Sequence, residues 1–144
     1  MNKKFIILSF VFLVFAQTAS AEAVFNPNYI ISDYDVTNSR TMTQLEIQRF
    51  LESKNSYLAN YFCTDNTGRS LRASEAIYNV ATTNLVNPRF ILVLLQKEQS
   101  LVESATPPTP RQLDWATGYG CPDGAACNVR WQGFWKQINS ASLQ

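Results

Sequence analysis

The chain contains no histidine. That absence removes the Ser-His-Asp and Cys-His arrangements, in which an imidazole carries the proton, and zinc sites of the usual histidine-containing kinds. Cysteine is almost as scarce, with three in 144 residues. A zinc ion would have to draw on the scattered Cys63, Cys121 and Cys127, so no metal is expected, and no cofactor either. Glycine is limited to five residues, and Gly118, Gly120, Gly124 and Gly133 fall within one short stretch. Beyond the first 21 residues no apolar run approaches the roughly 20 residues of a membrane-spanning helix. An excess of basic charge is missing too, and with it the electrostatic footprint of a nucleic-acid partner.

The N-terminus carries the first positive signal. Lys3 and Lys4 precede an apolar stretch, Phe5 to Ala16, interrupted only by Ser9; Ala19-Ser20-Ala21 then gives the small-x-small pattern of a signal-peptidase site. Residues 1–21 therefore read as a cleavable signal peptide and the chain as exported to the periplasm, the cell wall or the medium. Removing Lys3 and Lys4 from the 12 basic residues leaves 10 against 11 acidic ones, a formal charge of about −1. The remaining stretch of about 120 residues suits one domain. In an oxidising compartment Cys121 and Cys127 are the natural disulfide pair, around Pro122, Asp123 and Gly124, and Cys63 is left over.

Residues 22–42 read as an extended N-terminal segment, with turn chemistry at Asn26-Pro27-Asn28 and Ser32-Asp33. Residues 43–144 read as a mainly α domain. Thr43 and Glu46 form a capping box for a first helix ending near Lys54, with Leu45, Phe50 and Leu51 as its apolar face. Asp65 to Gly68 is a turn, and a second helix over about 70–84 buries Ala73, Ile77, Val80 and Ala81. Asn87 and Pro88 open a third helix, which continues to about Val102. Its run from Phe90 to Leu95 suggests packing on every side. Pro107, Pro108 and Pro110 enforce a loop, and a last helix from about Asn128 puts Trp131, Phe134, Trp135 and Ile138 on one face.

Glu98 is the residue with chemical promise. Its helical neighbours three and four positions away are Leu94, Leu95, Leu101 and Val102, all apolar, whereas Gln96, Gln99, Ser100 and Glu103 fall elsewhere. Burial and the negative end of the helix dipole would both favour the neutral acid, the form that general-acid cleavage of a glycosidic bond requires. A helix that twists or ends before Glu98 would instead leave a surface carboxylate beside Lys97. Trp115, Tyr119, Trp131 and Trp135 are candidates for a wall against sugar rings; core packing is the stronger reading for Trp131 and Trp135, on one helical face with Phe134 and Ile138, and stands level with the wall for Trp115 and Tyr119 in the glycine-rich stretch.

Leu95-Gln96-Lys97-Glu98-Gln99-Ser100-Leu101 resembles the catalytic-helix signature of the lysozyme-like superfamily, soluble lytic transglycosylases in particular. Gly133-Phe134-Trp135-Lys136-Gln137-Ile138 is similar to the Gly-Leu-Met-Gln-Ile segment that lines the same cleft, with Lys136 inserted; a serine follows the glutamate two positions on rather than one. The chain after the signal also resembles a family of secreted bacterial proteins. The shared landmarks are Phe25 to Ser32, Gln96 to Leu101 and Leu113 to Gly120.

The resemblance implies a lysozyme-like helical domain that cleaves peptidoglycan, with Glu98 as single general acid and base and with Ser100 and Gln137 touching substrate. A hydrolase would add a second carboxylate, for which Asp114 and Asp123 are the nearby candidates. The alternative is a non-catalytic cell-wall or glycan-binding module on the same fold. The chain ends within a helical stretch without a glycine cap, so a cleft lacking its C-terminal part is expected.

Overall fold

The computed structural model describes residues 26, 27 and 29–143; the signal peptide expected at 1–21 lies outside the described residues. Contacts divide the chain into two units, 1–30 and 31–144. In the first, the Tyr29 N–H donates to the Asn26 carbonyl at 3.0 Å, closing a turn around Pro27. The second carries the fold and is mainly α. Its order is α1 (Asp33–Thr37), α2 (Gln44–Ser53), a 3₁₀ turn (Tyr57–Asn60), β1 (Phe62–Thr64), β2 (Ser70–Arg72), α3 (Ala73–Thr83), α4 (Pro88–Gln99), α5 (Pro110–Asp114), a 3₁₀ turn (Val129–Trp131) and α6 (Phe134–Ala141).

Local chemistry sets most boundaries. Thr43 and Glu46 close the expected capping box of α2: the Glu46 N–H donates to Thr43 Oγ1, and the Thr43 N–H donates to Glu46 Oε2 at 2.7 Å. Ile47 and Leu51, four apart, form its buried face, whereas Leu45 is exposed; the apolar face is thus rotated from the one expected. The segment expected to be extended contains α1, because Ser32 caps a helix, its Oγ accepting from the Asp35 N–H at 3.0 Å.

The second helix begins at Ala73 rather than near Ser70. Ser70–Arg72 pairs antiparallel with Phe62–Thr64, Cys63 opposite Leu71, in a two-stranded hairpin around the Asp65 to Gly68 turn. The proline-rich loop holds one more helix, since Thr109 caps α5 and Pro110 suits its first position. The final helix starts at Phe134, not near Asn128, because Gly133 adopts φ +112° and interrupts helical geometry after the 3₁₀ turn.

α3 lies at the centre, burying Ala73, Ile77, Val80 and Ala81 against α2, α4 and α6. α4 does not pack on every side as expected. Ile91, Leu92 and Leu95 reach the core, but Val93 is 63% exposed and Phe90 37%. The surplus apolar residues line two grooves, Val93 one and Phe90 with Leu94 the other.

Asn87 ties the start of α4 to the chain before α2. Its Oδ1 accepts from the Arg89 N–H and the Thr41 hydroxyl, and its Nδ2 donates to the Asp35 carbonyl at 2.7 Å. No helix among the described residues is long and apolar enough to cross a membrane.

Candidate active site

α4 ends in a way that fixes where Glu98 can be. Ser100, just past the helix, adopts the left-handed conformation at φ 55°, ψ 29°, and its N–H donates to the Gln96 carbonyl at 2.9 Å. The chain then doubles back. The Leu101 N–H donates to the Leu95 carbonyl, and Gln96 Oε1 accepts from the N–H groups of Val102 and Glu103 at 3.1 and 3.0 Å. Leu101 and Val102 are buried on the return, and Ser56 Oγ donates to the Leu101 carbonyl. Glu98 thus belongs to the last turn of a helix whose end is held by side chains on both sides.

The expected apolar surround of its carboxylate forms only in part. The Glu98 side chain keeps 31% of its surface, Leu94 is half-buried, and Lys97 Nζ lies 2.8 Å from Glu98 Oε1. Leu101 and Val102 turn into the core after the helix ends, so they do not continue the helical arc drawn through them.

The other oxygen faces the glycine-rich loop: a Cβ on Gly118 would lie 3.7 Å from Glu98 Oε2. Gly118 also lines a cleft of about 670 Å³ with Leu94, Phe90, Tyr119, Gly120 and Trp131. Leu94 stands one turn before Glu98 on α4. The carboxylate therefore sits where α4 and the glycine-rich loop meet, at the border of that cleft.

Gln137 ties the loop down by hydrogen bonds. This side chain is completely buried on α6, and its amide is fully used within the protein. Oε1 accepts from the N–H groups of Thr117 and Tyr119 at 3.2 and 3.0 Å and from the Thr117 hydroxyl at 3.0 Å. Nε2 donates to the carbonyls of Tyr119 and Trp131 at 2.9 and 2.8 Å. Gln137 has no surface with which to touch a substrate, which corrects the role expected for it.

Trp115 is also buried, so it is core rather than wall. Tyr119 lines the cleft, edge to face with Trp131 at 5.2 Å. Gly120 permits that arrangement: a Cβ there would stand 2.5 Å from Trp131 Cδ1. Trp131, expected to pack in the core, is a half-buried cleft wall. Ser100 is exposed. Nothing in the sequence marked Gly118 as a neighbour of the carboxylate, and Trp131 as a sugar wall ranked behind core packing. The clustering of glycines was the available signal for both.

Cys121 and Cys127 form the expected disulfide. The Asn128 N–H closes the same loop by donating to the Gly120 carbonyl at 2.9 Å. Cys63 is free and buried, and burial pushes its thiol up to about 11. Among the described residues no group of three or more Cys, Asp and Glu side chains could hold a metal ion.

One protein family, described as LasA, N-terminal domain, matches residues 29–144. The chain belongs to the LasA N-terminal domain family. No curated protein and no solved structure matches it. As a LasA N-terminal domain with an intramolecular disulfide, the chain agrees with export to an oxidising compartment. Its similarity to lytic transglycosylases rests on the residues around Glu98 and Gln137 alone.

Proposed function

We propose that this domain cleaves the glycan of peptidoglycan with Glu98 as its single acid and base, on a lysozyme-like arrangement of helices. The observation that carries the reading is the position of the Glu98 carboxylate, against Gly118 and at the border of the cleft that α4 and the glycine-rich loop enclose. Protonated, Glu98 would give its proton to the glycosidic oxygen between N-acetylmuramic acid and N-acetylglucosamine as the C–O bond breaks. The resulting carboxylate would then take the proton of the muramyl 6-hydroxyl as that oxygen closes on C1, leaving a 1,6-anhydro ring. No water and no second carboxylate enter this sequence.

A one-carboxylate reaction suits the site better than hydrolysis, because Glu98 borders the cleft through Gly118 and neither Asp114 nor Asp123 lines it. Asp114 instead accepts a hydrogen bond from Gln132 Nε2 at 2.8 Å, and Asp123 is exposed on the disulfide loop. Tyr119 and Trp131 supply the apolar edges that sugar rings pack against.

One observation favours the alternative, a non-catalytic glycan-binding module. Lys97 Nζ lies 2.8 Å from Glu98 Oε1, so the carboxylate already has an ion-pair partner within the protein, which a binding domain can keep. Digestion of purified peptidoglycan with the purified protein, followed by mass analysis of soluble products, separates the two. Anhydromuropeptides are expected from the wild type and should fall at least about 100-fold in Glu98→Gln. Folded protein that binds peptidoglycan but releases nothing would sink the cleavage reading.

A further inference from the structure

Charge stands only beside the cleft, as the Lys97–Glu98 ion pair next to Gly118 and as Arg130 next to Trp131. None of its lining residues is ionisable at neutral pH. Glu98 stands against Gly118, and Arg130 stands against Trp131, the ring that Tyr119 and Gly120 touch. Arg130 is held rather than trailing. Its guanidinium carbon lies 4.7 Å from the centroid of the Trp131 ring. The turn beneath is capped by Asn128, whose Oδ1 accepts from the Arg130 N–H at 3.1 Å. Trp131 is fixed in turn by Gln137 Nε2 at its carbonyl, by the close approach of Gly120 and by the edge of Tyr119.

What this cation lacks is a partner. Among the described residues the ion pairs are Lys54–Glu103, Arg69 with Asp65 and Glu75, and Lys97–Glu98. The exposed Arg130 guanidinium donates to none of the described groups, so its planar fork of N–H donors remains open against the ring of the cleft wall Trp131. A fork of that kind matches a carboxylate with two parallel hydrogen bonds.

We propose that Arg130 determines specificity, binding a carboxylate on the glycan so that the cleft prefers anionic strands to neutral ones. The proposal rests on the glycan-binding side of the reading above and not on cleavage. Two sources of that carboxylate exist in peptidoglycan: the lactyl group of a muramyl residue without peptide, and the acidic side chains and terminus of the attached peptide.

Calorimetric titration of the purified protein with three soluble tetrasaccharides tests this. One is built of N-acetylglucosamine alone, one alternates it with muramyl residues bearing free lactyl groups, and one carries peptides. Wild type is expected to bind at least one anionic ligand about tenfold more tightly than the neutral one, roughly 1.4 kcal/mol. That advantage should shrink between 50 and 500 mM salt, collapse toward unity in Arg130→Gln and survive in part in Arg130→Lys.

A gain confined to the second ligand assigns the lactyl carboxylate, which the peptide amide consumes in the third; a gain confined to the third assigns the peptide; a gain shared by both shows that either carboxylate serves. Equal binding of all three, no binding of any, or an advantage that Arg130→Gln leaves intact overturns the proposal. Its failure is separable from that of the cleavage reading. Arg130-dependent binding without anhydro products would refute cleavage alone, and anhydro products without charge discrimination would refute the role of Arg130 alone.

Discussion

Gln137 is an uncharged polar residue with no exposed surface, and five hydrogen bonds run from its amide to the loop that faces Glu98. Replacing it by Leu keeps the volume but leaves buried N–H and C=O groups of residues 117, 119 and 131 unpaired. Each such group costs about 1–3 kcal/mol, so Gln137→Leu should lower unfolding free energy by at least about 3 kcal/mol in urea titration. A loss under about 1 kcal/mol would mean that the network is replaceable by water.

Ser100 makes the opposite prediction. A left-handed non-glycine residue carries a cost of roughly 1 kcal/mol, offset in part for glycine by unfolded-state entropy. Ser100→Gly should therefore be neutral or stabilise by about 0.5 kcal/mol. If the Ser100 hydroxyl also meets substrate, peptidoglycan binding will weaken in a variant that is no less stable.

Glu98 stands out in the sequence as a polar group amid apolar helical neighbours, and Gln137 does so with more force, sharing the buried face of α6 with Phe134 and Ile138. Glu98 differs in standing at the end of its helix. Helical spacing places Leu101 and Val102 beside it only if the helix continues, and the left-handed residue at 100 sends them elsewhere. Sequence spacing could mark both residues as unusual. It could not tell an amide that serves a loop from one that serves a ligand.

At the scale of elements, boundaries marked by capping chemistry were legible, because Thr43 with Glu46 and Asn87 with Pro88 act through groups three residues apart or fewer. The hairpin was not legible. Each strand has three residues with only the central one buried, and a pattern that short cannot be told from chance.

The caps also give the fold a pH dependence. Hydrogen bonds from the Thr43 backbone and hydroxyl hold the Glu46 carboxyl below its ordinary 4.5. Those from Thr67, with the Arg69 N–H, hold Asp65 below its ordinary 3.8. Both folded values are depressed, so the stability they contribute is present above the ordinary values and is lost as pH falls through the folded ones. Unfolding free energy should therefore decline as pH drops below about 4.5. Thr43→Ala should reduce stability by about 1 kcal/mol at neutral pH and flatten the acid decline, read by urea titration across pH 2–7. An acid limb identical in Thr43→Ala and wild type would remove Glu46 as its cause.

For the molecule as a whole, the disulfide and the cleft depend on one segment. Cys121–Cys127 closes a loop whose base is also joined by the Asn128 N–H to the Gly120 carbonyl, and Gly120 is the residue that lets Trp131 form the cleft wall. A loop of about seven residues limits the entropic gain from the crosslink to about 2 kcal/mol. The large core around α3 does not include the loop. Breaking the crosslink should thus cost no more than that in global stability, while loosening the Gly120–Asn128 base and with it the position of Trp131 and Arg130.

The double variant Cys121→Ser with Cys127→Ser is accordingly expected to unfold in one cooperative step with at most about 2 kcal/mol less stability, yet to bind anionic glycan several-fold more weakly. Thiol titration calibrates the comparison. Wild type should expose no reactive thiol when native, because Cys63 is buried with its thiol held protonated, and one per chain in denaturant without reductant. A native chain that reacts at Cys63, or a double variant that binds glycan as wild type does, would show that the loop and the cleft are less coupled than their shared backbone implies.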